Sequence, residues 1–195
     1  MMATKFNKEI WKKYKSTGEI PVNSIKCGTE TFKPTDIKAI YDKATELGIT
    51  TEPLDIVRVV KEIFNIKLYY NDLDRDISGF IERTGPQNWV IHVNKWENGL
   101  RQKFTIAHEL AHFILHKNIL QTGSHYDSIL YRDENTSPIE RQASSFASEL
   151  LMPPNKFEQY INEGSNTIEK LAEKFELSTS AVRYRAYKLG YISEY

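Results

Sequence analysis

The run Phe104-Thr-Ile-Ala-His-Glu-Leu-Ala-His-Phe-Ile-Leu-His116 places three polar residues, His108, Glu109 and His112, inside a stretch that is otherwise almost wholly apolar. Phe104, Ile106, Ala107, Leu110, Ala111, Phe113, Ile114 and Leu115 make a helix over this run apolar on most sides, the pattern of a buried element. Two imidazoles and a carboxylate carried into a core cost several kcal/mol unless something compensates them. The chain must therefore fold so as to give these three residues partners. Either they form a buried His/Glu hydrogen-bond network, or they surround a metal ion and its water.

The spacing favours the metal. Residues four apart lie one turn up the same helix face, about 6 Å along the axis, so two imidazoles can converge on one tetrahedral ion. Glu109 then sits beside the ion. Its carboxylate can take a proton from a water that the metal acidifies to a pKa of roughly 7, and later pass it to a leaving amine. His-Glu-x-x-His on a helix is the pattern of zinc peptidases. Three fixed positions also occur by accident, and the apolar surroundings are what set this instance apart.

A peptidase site of this kind takes a third protein ligand and leaves a fourth position open. His116 lies about 12 Å along the axis from His108, too far for both to bind one ion, and is expected to support the site from outside it. The three-histidine pattern fails as well, because Asn118 and Leu115 occupy its third histidine and its glycine. His125, Asp133, Glu134 and Glu140 remain. Glu140 opens a second helical run, with Ser137 as N-cap and Pro138 as first helical residue. Ala143, Phe146, Ala147, Leu150 and Leu151 recur there at helical spacing, and the small ones would let this helix lie close to the first. A glutamate in a first turn is also favoured by the helix dipole with no metal present. From the residues alone Glu140 leads the four without excluding the others.

Three blocks resemble the ImmA/IrrE family of metallo-endopeptidases, cytoplasmic zincins of bacteria and their mobile elements. The first is Ile91-His-Val-Asn94 leading through Arg101-Gln-Lys-Phe-Thr-Ile-Ala-His-Glu-Leu-Ala-His112 to His116. The second is Glu140-Arg-Gln-Ala-Ser-Ser-Phe-Ala-Ser-Glu-Leu-Leu-Met-Pro153, and the third is Ile77-Ser-Gly-Phe80. Together they cover roughly residues 50 to 155. The resemblance implies one zinc per chain held by His108, His112 and Glu140, with Glu109 as general base. It further implies a protein substrate, a helix-turn-helix transcriptional repressor. Ala111 stands where the family usually has glycine, Lys103 where arginine is common and Ser144 where asparagine is frequent. None of these removes a catalytic atom, but they bear on how the ligands are oriented, which can change metal affinity by about 10–100-fold.

The expected class is α+β: a zincin-like domain over residues 34–160 with a three-stranded sheet beside the active-site helix. A 1–33 extension of unassigned role precedes it, and a helical, helix-turn-helix-like segment over 161–195 follows. Helices are expected over Thr35–Leu47, ended by Gly48, and over Pro53–Phe64, with strands over Ile66–Tyr70, Ile77–Arg83 and Asn88–Val93. Trp89–Asn94 is the candidate edge strand for holding an extended peptide. The polar loop between Lys117 and Thr136 offers His125, Tyr126, Tyr131 and Arg132 as groups able to stabilise an oxyanion.

In the C-terminal segment Arg183, Arg185 and Lys188 could meet phosphates, yet Glu169, Glu173 and Glu176 nearly cancel them. A cap packed on the catalytic domain is therefore favoured over a DNA reader. Lys+Arg and Asp+Glu both number 26, so no net charge draws the chain to nucleic acid or an anionic membrane. Locally, residues 1–33 carry seven lysines against three glutamates. No apolar run reaches the ~20 residues of a membrane span. The single Cys27 fits a reducing compartment, and the cytoplasm is the expected location. The leading expectation is thus a zinc endopeptidase. Its rival is a non-catalytic regulatory module that binds DNA or a partner protein such as a toxin.

Overall fold

A computed structural model describes residues 25–27, 30–32, 35–118 and 138–194. A short antiparallel pair comes first, β1 (Ile25–Cys27) with β2 (Glu30–Phe32). Asp36 then caps α1 (Ile37–Glu46), its carboxylate accepting the Lys38 N–H at 2.9 Å. Gly48 ends that helix at φ +63, as expected of a residue without a Cβ penalty there. Asp55 caps α2, which begins as an α-turn over Ile56–Arg58 and continues as a π-turn over Val59–Ile63.

The sheet comprises β3 (Lys67–Asn71), β4 (Gly79–Arg83) and β5 (Trp89–Asn94) in the order β3-β5-β4. β5 runs parallel to β3 with Lys67 opposite Val90, and antiparallel to β4 with Gly79 opposite Val93. The expectation that Trp89–Asn94 is an edge is overturned, since β5 is the central strand. Its own sequence carries the reason. Trp89, Val90, Ile91 and Val93 are all buried, the near-continuous apolar run of a strand paired on both sides. β4 also starts later than expected, because Ile77 closes a turn onto the Asp74 carbonyl at 2.9 Å instead of pairing.

One face of the sheet receives α3 (Gly99–His116), capped by Asn98, whose side chain accepts the Arg101 N–H at 2.9 Å. Trp89 meets Phe113 edge-on with ring centroids 5.3 Å apart. Ile91, Ile106 and Leu110 are at most 1% exposed, and burying each such side chain contributes about 1.5–3 kcal/mol. Gly79 permits the close approach of sheet and helix. A Cβ there would lie 2.6 Å from both the His92 carbonyl oxygen and Thr105 Cγ2.

α4 (Pro138–Leu151) packs on α3, and its small residues Ala143 and Ala147 are fully buried. Tyr41 of α1 ties down its far end by donating to the Leu150 carbonyl at 2.9 Å. The chain ends in α5 (Pro154–Asn162), α6 (Ile168–Phe175) and α7 (Thr179–Lys188). Phe157, Tyr160 and Phe175 join α5 to α6 as one aromatic cluster.

Beyond this apolar packing, two polar contacts help fasten the helix-turn-helix-like pair α6–α7 to the rest. Arg185 is 4% exposed and donates from Nε to the Met152 carbonyl at 2.9 Å. Glu176, at the turn with φ +51, forms an ion pair with Lys103 of α3. No helix among the described residues is long and apolar enough to cross a membrane. His125, Tyr126, Tyr131, Arg132, Asp133, Glu134 and Ser137 lie outside the described residues, as does most of 1–33.

A candidate metal centre between two helices

Helical winding brings His108, Glu109 and His112 together on α3, and the packing of α4 on α3 brings Glu140 against the two histidines. All four side chains are at most 2% exposed. His108 Nε2 lies 2.9 Å from His112 Nε2 and 3.2 Å from Glu140 Oε2, and His112 Nε2 lies 3.4 Å from that same oxygen. A tetrahedral ion with bonds of about 2.0–2.2 Å separates its ligand atoms by about 3.3–3.6 Å. The observed triangle is thus close to one face of such a tetrahedron, and these three residues form a group able to hold a metal.

Electrostatics agree with the geometry. Burial pushes His108 down to about 4, against the upward pull of its hydrogen bond to Glu140. Burial would also raise the Glu140 carboxyl, but hydrogen bonds from His108 and His112 outweigh it and hold the carboxyl well below the ordinary range. At neutral pH the donor set is thus an uncharged His108 imidazole and a carboxylate, with His112 between them. A buried anionic set of this kind calls for a cation.

His116, one turn beyond His112, is 1% exposed and stands outside the ligand triangle, as the axial distance required. Its Nδ1 lies 3.0 Å from His112 Nδ1, and its Nε2 lies 3.3 Å from Gln142 Oε1 on α4. Burial, then the neighbouring His112, pushes its ring down to about 3. Ser144 reaches His108, with Oγ 3.3 Å from Nδ1. Lys103 of α3 reaches across to Glu176.

A cleft of ≈590 Å³ opens over this centre. His108 and Glu109 lie at its floor with Glu140 and Ser144, while Phe104 and Thr105 continue the α3 wall. Arg101 and Arg141 border it, and Ser78 stands at the entry to β4. The opposite wall is α7, through Ser178, Ala181 and Tyr184. Reasoning from sequence missed this wall. Its only local signal was the Ser178 N-cap, which says where a helix starts and nothing of what the helix faces.

The IrrE N-terminal-like domain family matches residues 61–187. The metallopeptidase ImmA of Bacillus subtilis is 30% identical over 149 residues, which span 74% of this chain and 83% of that protein. A solved structure described as a Mycobacterium tuberculosis transcriptional regulator superposes with a TM-score of 0.55 at 22% identity, over 77% of this chain. This chain spans 46% of that one, and at such identity the likeness speaks for the fold alone. On the family match over more than half of its length and the 30% identity across most of both proteins, the chain belongs to the ImmA/IrrE family of metallopeptidases.

Proposed function

We propose that the chain is a zinc-dependent endopeptidase, with His108, His112 and Glu140 as ligands of one zinc ion and Glu109 as general base. The observation that carries the reading is the near-tetrahedral triangle of ligand atoms at the floor of a cleft that Glu109 also lines. Zinc bound there would supply a Lewis acid that polarises a peptide carbonyl and acidifies water. The chain's own residues do the rest. The Glu109 carboxylate receives the proton of the attacking water and delivers it to the leaving amine. Thr105 and Phe104 on one side and α7 on the other narrow the cleft and limit water around the reacting bond.

The peptide is held along β4 in place of β5. Among the described residues β4 has a strand neighbour on one side only, and Ser78 carries its start into the cleft. An extended segment added there would run beside the metal centre. Family membership supports a transcriptional repressor as the target, cleaved in the cytoplasm to release genes of a mobile element or a stress response. The competing DNA-binding reading is weakened by Arg185, which is buried and engaged with Met152, and by the start of α7, which faces the cleft.

The test compares wild type with Glu109→Gln, both loaded with zinc and incubated with a proteome of the host cell. New protein N-termini are then read by mass spectrometry. Both proteins are expected to carry about one zinc, and only the wild type to generate a defined set of new N-termini. The same set from Glu109→Gln would refute the role of Glu109. Wild type without zinc, even after supply, would refute the metal-centre reading.

A further inference from the structure

We propose that His116 and Gln142 form a hydrogen-bond relay that fixes the tautomer of His112 and so aims its Nε2 lone pair at the metal. This rests on the metal-centre reading above and adds two positioning residues to it. The argument follows the protons. Gln142 presents its amide oxygen to His116 Nε2 at 3.3 Å, and an amide oxygen only accepts. His116 Nε2 must therefore carry the hydrogen. A neutral imidazole carries one, so His116 Nδ1 is left as an acceptor. That nitrogen faces His112 Nδ1 at 3.0 Å, which must then be the donor. With its hydrogen on Nδ1, His112 keeps a lone pair on Nε2, the atom that faces His108 and Glu140.

With the Gln142 amide oriented oxygen-first and His116 uncharged, each step follows from the one before, and the result leaves on His112 Nε2 the lone pair that a metal ligand needs. The support under His108 differs. Ser144 Oγ, at 3.3 Å from His108 Nδ1, is a hydroxyl that can donate or accept, so it steadies the ring without dictating where the proton sits. The relay also spans both helices of the site. Gln142 lies two residues beyond Glu140 on α4, so the helix that supplies the carboxylate ligand also orders the histidine ligand of α3. Partners of this kind around metal-binding histidines typically govern affinity by about 10–100-fold.

Zinc affinity, measured by competition with a chromophoric chelator, tests the relay on full-length wild type, His116→Leu, His116→Asn, Gln142→Leu and Gln142→Glu. Leucine fills much of the ring's space but accepts nothing, whereas asparagine restores an acceptor near Nδ1. His116→Leu is expected to bind zinc about 10–100-fold more weakly, with His116→Asn recovering most of the loss. Gln142→Leu should weaken binding, and Gln142→Glu, which retains acceptors, should not. Long-range proton–nitrogen NMR of the zinc-loaded wild type should place a hydrogen on His112 Nδ1. If His116→Leu fails to fold, the half-buried Gln142 pair carries the comparison.

Equal affinity in wild type and the leucine variants, equal losses in the leucine and acceptor-bearing variants, or a His112 Nδ1 without hydrogen would overturn the relay. No zinc uptake by wild type would overturn the metal-centre reading and the relay with it.

Discussion

Gly79→Ala tests the contact that seats the sheet on α3, the helix that carries His108 and His112. The new Cβ would lie 2.6 Å from two atoms, the His92 carbonyl oxygen on β5 and Thr105 Cγ2 on α3. Ordinary contact begins near 3.4 Å, so β4 must retreat by about 0.8 Å from neighbours on two sides. Overpacking of this kind costs about 1–3 kcal/mol. Alanine returns about 0.5–1 kcal/mol because it loses less backbone freedom on folding. The clash dominates, and a net loss of about 1–2 kcal/mol is expected. In urea at a typical slope of about 2 kcal/mol/M, the midpoint of the zinc-free protein should fall by about 0.5–1 M. Thr105→Ser in the same chain removes Cγ2 and should restore part of this loss. The His92 oxygen belongs to the partner strand's backbone and cannot be trimmed. Zinc affinity should change by less than about 3-fold, because no ligand lies on β4. An unchanged midpoint, or no recovery on adding Thr105→Ser, would refute the packing argument.

Ala147→Leu, at a fully buried position on α4, should cost about 1–3 kcal/mol and also weaken zinc binding, since the helix that moves carries Glu140. Chelator competition beside urea unfolding checks both. Arg185→Ala should destabilise by about 2–3 kcal/mol by stranding the Met152 carbonyl, while Lys103→Ala, which breaks a partly exposed ion pair, should cost less than about 1 kcal/mol. Equal costs in thermal unfolding would contradict this ordering. For the metal-free protein, His108 and His116 are depressed from an ordinary 6.5 to about 4 and about 3. Their contribution to stability is full above about pH 6.5 and is lost as pH falls through those values, because the unfolded chain takes up protons first. A urea midpoint that stays constant from pH 7 to pH 4 would count against neutral buried rings.

Much of the site was legible in the chain because its information is local. Three polar residues in an apolar helical run leave few ways to satisfy them, and a spacing of four places His108 and His112 on one face whatever the rest of the protein does. The axial rise alone put His116 outside the ligand triangle. Glu140 was only one of four candidates by residue chemistry, and family resemblance singled it out before the packing of α4 on α3 brought it within 3.2 Å of His108. Strand order was not legible. Trp89–Asn94 reads as a strand, but whether it sits at the edge depends on which strands pair on either side, and pairing is a long-range choice. The apolar run did hold the hint, since a strand covered on both edges has little room for alternation. The relay through Gln142, the clash awaiting any Cβ at Gly79 and the α7 wall of the cleft were beyond any local pattern. Each joins residues far apart in the chain, and only the packing of the helices and sheet decides that they meet.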